Sequence, residues 1–228
     1  MKLDRRTALV SAAAVLAAPF LAATPSRADA KRQSLVDSCL QSARKVLGGK
    51  DFPDAAKLMV NARGVLIFPE LVQGGFIIGA AGGRGTLMAR TNPKDWSPPA
   101  FYGMGSGSLG LQIGAKVSEI VFIIRTEKGL TAILDQKFKF GAQAGVTLVA
   151  VGIGLEGAST AAMGADIVAF ANSNGLFAGV SLEGSYLDPD NDWNALYYGP
   201  GATSKSVVLE RRYNNPGAEP IRQYLAQW

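Results

Sequence analysis

Histidine is absent from all 228 residues. That removes the commonest general base, every histidine-containing catalytic triad and every imidazole metal ligand. One cysteine, Cys39, allows neither an internal disulfide nor a thiolate zinc site. Val36-Asp37-Ser38 before it is not the small apolar sequence of a lipid-attachment cysteine. Cys39 falls on the apolar face of an expected helix, so it reads as a buried small hydrophobe. Charged residues are scarce, at 18%. Neither Gly-x-Ser-x-Gly nor Gly-x-x-x-x-Gly-Lys occurs. No residue constellation argues for an enzyme, and none calls for a metal or a cofactor.

What the chain has in excess is glycine, 27 residues where an average chain carries about 7%. The glycines are interleaved with Val, Ile, Leu and Phe, which points to tightly curved β-structure rather than disorder. Apolar residues reach 48%, enough for a real core.

The first thirty residues read as a removable signal peptide. Lys2, Arg5 and Arg6 form a positive start, Ala8–Ala23 is an Ala/Leu/Val-rich stretch broken by Pro19, and Ala28-Asp29-Ala30 is a small-x-small cleavage site. Sixteen residues interrupted by proline fall short of the roughly 20 needed for a membrane span. Arg5-Arg6 within Asp4–Leu9 resembles a twin-arginine export signal, with Ala8 in place of the favoured aromatic residue. Arg27, close to the cleavage site, suits the same route. The expected mature chain, residues 31–228, is therefore periplasmic or secreted. Cleavage lowers the formal charge from +5 to +3, too weak a global field to argue for nucleic-acid binding.

The positive charge is concentrated locally. From Ser34 to Leu47, Leu35, Val36, Cys39, Leu40, Ala43, Val46 and Leu47 share one helical face, and Gly48-Gly49 ends the helix. Lys31–Arg63 holds seven basic residues against Asp37, Asp51 and Asp54. Such a helix can lie on an anionic membrane, or it can pack its apolar face on a sheet.

After a short helix at Pro53–Asn61 the texture turns to strands: Val65–Phe68, Gly75–Ala81, Thr86–Arg90, Ala100–Met104, Ser108–Ala115 and Ser118–Ile124. Gly129–Asp135 and Pro220–Gln227 are expected helices, Val146–Leu155 an apolar run and Asp188–Trp193 a polar loop. Ile167–Ala171 and the alternating Leu176–Leu182 read as a β-hairpin turning at Ser173-Asn174-Gly175. The only long irregular break, Asn92–Pro99, falls too early to divide two domains. The expectation is one α+β domain, with a strongly curved, mainly antiparallel, glycine-rich sheet or barrel flanked by helices.

Two formal motif matches dissolve on inspection. Gly105-Ser-Gly107-Ser-Leu-Gly110 fits G-x-G-x-x-G, but Leu111–Ala115 alternates like a strand where a dinucleotide site needs a helix. Asp188, Asp190, Asn191 and Asp192 have part of a calcium-loop spacing without its turn glycine or closing glutamate. A solvated loop explains them. Trp96, Trp193, Tyr197 and Tyr198 read as core caps beside turns, with interfacial anchoring as the alternative.

The string Gly175–Gly184, Gly-Leu-Phe-Ala-Gly-Val-Ser-Leu-Glu-Gly, resembles the signature of the SYLF domain family of lipid-binding modules. Phe52-Pro53 with Ala62–Pro69, then Gly74-Gly75-Phe76, Trp96–Pro99 and Gly110–Gly114, follow the family's order. The resemblance runs from about Ser34 to Tyr198. Phe170-Ala171 stands where the family usually has Tyr-Ser. The resemblance implies non-catalytic binding of anionic phospholipids, phosphoinositides in eukaryotic members, through the early basic helix. By position, Arg32, Arg44, Lys45 and Lys50 would contact head groups, while Leu35, Leu40 and Leu47 would enter the acyl boundary if that face is free. Eukaryotic relatives also bind actin, an activity not carried over to an exported chain. The alternative is a β-barrel carrying a small apolar ligand.

Overall fold

The computed structural model describes residues 27–75, 78–109, 114–135, 137–141, 145–152, 164–173, 182 and 184–228. Apolar runs without alternation, Val65–Phe68, Ile120–Ile124 and Ile167–Ala171, become strands buried on both faces. The described elements are α1 (Arg27–Leu47), α2 (Pro53–Met59), β1 (Gly64–Gly75), β2 (Ile78–Asn92), β3 (Asp95–Trp96), β4 (Ala100–Leu109) and β5 (Gly114–Ile124). There follow α3 (Glu127–Asp135), β6 (Phe138–Lys139), β7 (Leu148–Gly152), β8 (Ile167–Ser173), β9 (Tyr186–Pro189), α4 (Asn191–Tyr198), α5 (Ser204–Val208), a 3-10 turn (Pro216–Ala218) and α6 (Glu219–Leu225).

The strands form one mixed sheet in the order β6-β9-β4-β2-β1-β5-β8-β7, with β3 paired to β2, curled into a half-barrel. The fold is a single α+β domain. All pairs are antiparallel except β7 with β8. Helices cover both faces. On one, Ile67, Val121 and Ile123 pack against Val36, Cys39 and Ala43 of α1. On the other, Leu66, Phe68 and Phe122 meet α3, Phe138 and Phe140.

The expected strand Gly75–Ala81 is divided, since Gly75 ends β1 and pairs with Gly79 of β2, and Ser108–Ala115 is likewise divided between the end of β4 and the start of β5, whereas Thr86–Arg90 lies within the longer β2. Proline in a central strand removes a ladder donor and is tolerated at bulges. Pro69 sits inside β1 where the register to β2 slips between Ile67 and Glu70, and that to β5 slips between Phe68 and Leu71. Across the slip, β2 has Gly83 and Gly85, where an added Cβ would collide with the Glu70 and Ile67 carbonyl oxygens. Gly85→Ala is therefore expected to lower stability by roughly 1–3 kcal/mol, read by chemical denaturation. An unchanged midpoint would mean that the bulge relaxes freely.

Two further expectations are corrected. Ile167–Ala171 is a strand, but β5 occupies one edge and β7 the other, so no hairpin partner can pair along it. Asn174–Ser181, with the expected turn and nearly all of the second strand, lies outside the described residues, as does Gly110–Ile113. Asp188–Trp193 is not a loop: Asp188 and Pro189 end β9, and Asp190 caps α4 by accepting from the Trp193 N–H at 3.1 Å.

Other expectations hold. Gly105–Leu109 lies in strand β4, not at a helix start. Trp96 and Tyr197 are buried core residues. Cys39 is fully buried, and burial pushes its thiol up to about 12. Ser97, also buried, accepts the Ala89 N–H at 3.0 Å, and Tyr198 donates to the Pro99 carbonyl at 2.6 Å. The Trp96–Pro99 motif is thus fold-building.

Candidate functional site

Helix α1 decides what surface the domain can offer. Val36, Cys39, Leu40, Ala43, Val46 and Leu47 are all buried in the core, and Leu35 is partly buried against it. An apolar face already covered has nothing left to insert into a membrane. Only the polar flanks and the C-terminal end of α1 remain available.

The four basic residues of the early helix separate. Arg32 and Arg44 are twelve residues apart, about 18 Å along the axis. Arg32 is only 6% exposed, 4.0 Å from Asp29 and 5.4 Å from the Trp193 ring, so its burial removes it from any head-group contact. Arg44 is exposed and lies 5.8 Å over the Tyr224 ring. Lys45 is held at 3.0 Å by Glu119, which also accepts from Ser42 Oγ at 2.6 Å. Lys50 is exposed just past the helix. Arg44, Lys45 and Lys50 therefore share one end of α1.

One flank of α1 forms a wall. Lys31, Ser34, Leu35, Ser38, Gln41 and Ser42 face an open cleft of about 920 Å³ whose floor is the bent part of β1, β2 and β4. Glu119 closes one end; Tyr186, Asp188, Asp190 and Trp193 close the other. Arg84 lies in this cleft with its Nε donating to Asp190 Oδ2 at 2.9 Å and its guanidinium 4.5 Å above the Trp193 ring. The sequence carries no signal for this cleft, because its walls come from segments far apart in the chain.

No group of three or more Cys, Asp or Glu among the described residues could hold a metal ion. Among them, too, no helix is long and apolar enough to cross a membrane.

The fold is a single α+β domain, a curled mixed sheet covered by helices on both faces, with an open cleft beside α1. The family model described as "Ysc84: Las17-binding protein actin regulator" matches residues 105–228. Among similar proteins, Protein YSC84 of Saccharomyces cerevisiae is 29% identical over 171 residues, 74% of this chain and 36% of that protein. SH3 domain-containing YSC84-like protein 1 of Homo sapiens is 32% identical over 151 residues, 66% of this chain and 44% of that protein. The chain belongs to this family, the SYLF domain family. It spans less than half the length of these relatives. The family description is that of a binding and regulatory protein.

Proposed function

We propose that the chain is a non-catalytic module that docks on anionic phospholipid surfaces, phosphoinositides among them, by charge rather than by insertion. The observation that carries this is the state of α1: its apolar face is committed to the core while Arg44 and Lys50 stay exposed at its C-terminal end. Each basic side chain near an anionic surface contributes about 1 kcal/mol. Arg44, Lys45 and Lys50 together supply about 3 kcal/mol at most, which makes a weak and salt-sensitive contact. Co-sedimentation with anionic against neutral vesicles tests the reading. No saturable difference between the two would overturn it.

Export completes the proposal. The compartment is periplasmic or extracellular, reached through Arg5-Arg6 and cleavage after Ala30. The cut would remove the first turn of α1 with Asp29, leaving Arg32 on Trp193. Actin is not proposed as a partner, since export places the chain apart from it. Arg5→Lys with Arg6→Lys is expected to leave the precursor in the cytoplasm, whereas the wild type yields a product starting at Lys31, read by N-terminal sequencing. Unchanged export of the double variant would reject the twin-arginine route.

A further inference from the structure

We infer that the cleft between α1 and the bent sheet is a docking groove for an extended basic peptide segment. This goes beyond the lipid reading and does not depend on it: Arg44 and Lys50 do not line the groove, and Lys45 touches it only through its ion pair with Glu119.

Dimensions come first. The α1 wall from Lys31 to Ser42 is about 17 Å long, which fits roughly five residues of extended chain. The cleft is open, with a volume of about 920 Å³, room for a short stretch of extended chain. The floor is low because Gly82 and Gly103 carry no side chain: a Cβ there would have nothing closer than 3.7 Å and 3.9 Å. A ligand backbone can therefore lie directly on the strands.

Charge selects the occupant. Glu70, Glu119, Asp188 and Asp190 line the groove. Three of them hold cations, and in every case the cation is the more exposed partner. Lys45 is 57% exposed against 16% for Glu119, Arg84 is 50% against 18% for Asp190, and Lys137 is 72% against 40% for Asp188. Surface bridges of this kind contribute little and exchange readily, so an incoming arginine or lysine can replace the resident cation. Glu70 is exposed on the floor and adds its charge without displacing anything. Lys31 is the remaining cation of the wall.

Arg84 shows how a guanidinium is received here. It sits between a carboxylate at 2.9 Å and an indole face at 4.5 Å, the two contacts an arginine side chain favours. Beside Glu119, Val72 and Val117 are directly paired across β1 and β5 and are 45% and 48% exposed. Strand alternation puts Val117 on the α1 side with Glu119 and Val121. An exposed apolar pair next to carboxylates suits the methylene stems of lysine or arginine.

The test is fluorescence anisotropy with a labelled Ala-Arg hexapeptide, its Ala-Glu counterpart as control, and the full chain as protein. The expected result is saturable binding of the arginine peptide only. Glu70→Lys should weaken it about tenfold or more, and Arg84→Ala, which frees Asp190 Oδ2 and the Arg84 place over the Trp193 ring, should tighten it. Glu70 is exposed and the Arg84 side chain is 50% exposed, so melting curves should match the wild type. Absence of saturable binding, equal binding of the glutamate peptide, or indifference to both substitutions would overturn the inference. So would displacement by spermidine at equal concentration, which would mark a small-cation site.

Discussion

Phe122→Ala is expected to cost about 3–5 kcal/mol of folding stability, and to lower the melting temperature by roughly 10–15 °C for a domain of this size. Phe122 is fully buried in β5, an interior strand between β1 and β8. Its ring stacks on Phe140 at 5.4 Å with an interplanar angle of 11°, and meets Phe68 edge-on at 6.2 Å. Truncation leaves a cavity that three elements would have to collapse around. Phe68 cannot follow easily, because the β1 backbone is fixed by the bulge at Pro69 and by Gly85 across from it. Phe122→Leu keeps most of the volume and is expected to cost about 1–1.5 kcal/mol. Denaturant unfolding of the two variants separates them. A loss below about 1 kcal/mol for alanine would mean that this layer repacks freely.

The same residues explain what can be read from the sequence. Val65–Phe68 and Ile120–Ile124 announce strands because both faces of the sheet are covered, and such strands need no polar side. Alternation tells that a segment is a strand; it does not tell which strand pairs with it. Ile167–Ala171 is therefore legible as a strand but not as to its neighbours, which are β5 and β7 rather than the next segment. Asp188–Asp192 reads as a loop since capping residues and turn residues are the same types. Asp190 serves as the cap, and the helix behind it has no long periodic face to reveal it. Helix α5 hides for the same reason, with a Thr203–Ser206 capping box as its only local mark.

For the site, periodicity separates the two faces of α1 correctly, but it cannot say what covers each charge. Arg32 is covered by Trp193, a residue 161 positions away, and Lys45 is paired with Glu119 across to β5. Helix spacing puts these cations in one group; tertiary contacts take Arg32 out and partly neutralise Lys45. The cleft beside α1 is illegible throughout, since six separate segments build it.

Arg44→Glu with Lys50→Glu is expected to abolish binding to anionic vesicles. With Arg44, Lys45 and Lys50 near the surface, the attraction totals about 3 kcal/mol, or roughly a hundredfold partition over neutral lipid. Reversing two of the three charges removes about 2 kcal/mol and replaces it with repulsion of similar size. What Lys45 supplies cannot offset that, the less so as Glu119 stands 3.0 Å from it. Lys50 is a better second position than Lys45, because a glutamate at 45 would face Glu119 and disturb the α1–β5 packing. Arg44 and Lys50 are both exposed. The double variant gives up the seat of the Arg44 guanidinium over the Tyr224 ring, worth about 0.5–1 kcal/mol at an exposed site. The melting temperature should thus move by only a few degrees. Raised salt should weaken the wild type in the same direction, through screening of exposed charges. Co-sedimentation at low and high ionic strength reads both effects. If the double variant pellets with anionic vesicles as the wild type does, the lipid contact lies elsewhere on the domain and the end of α1 is only a core element with a charged rim.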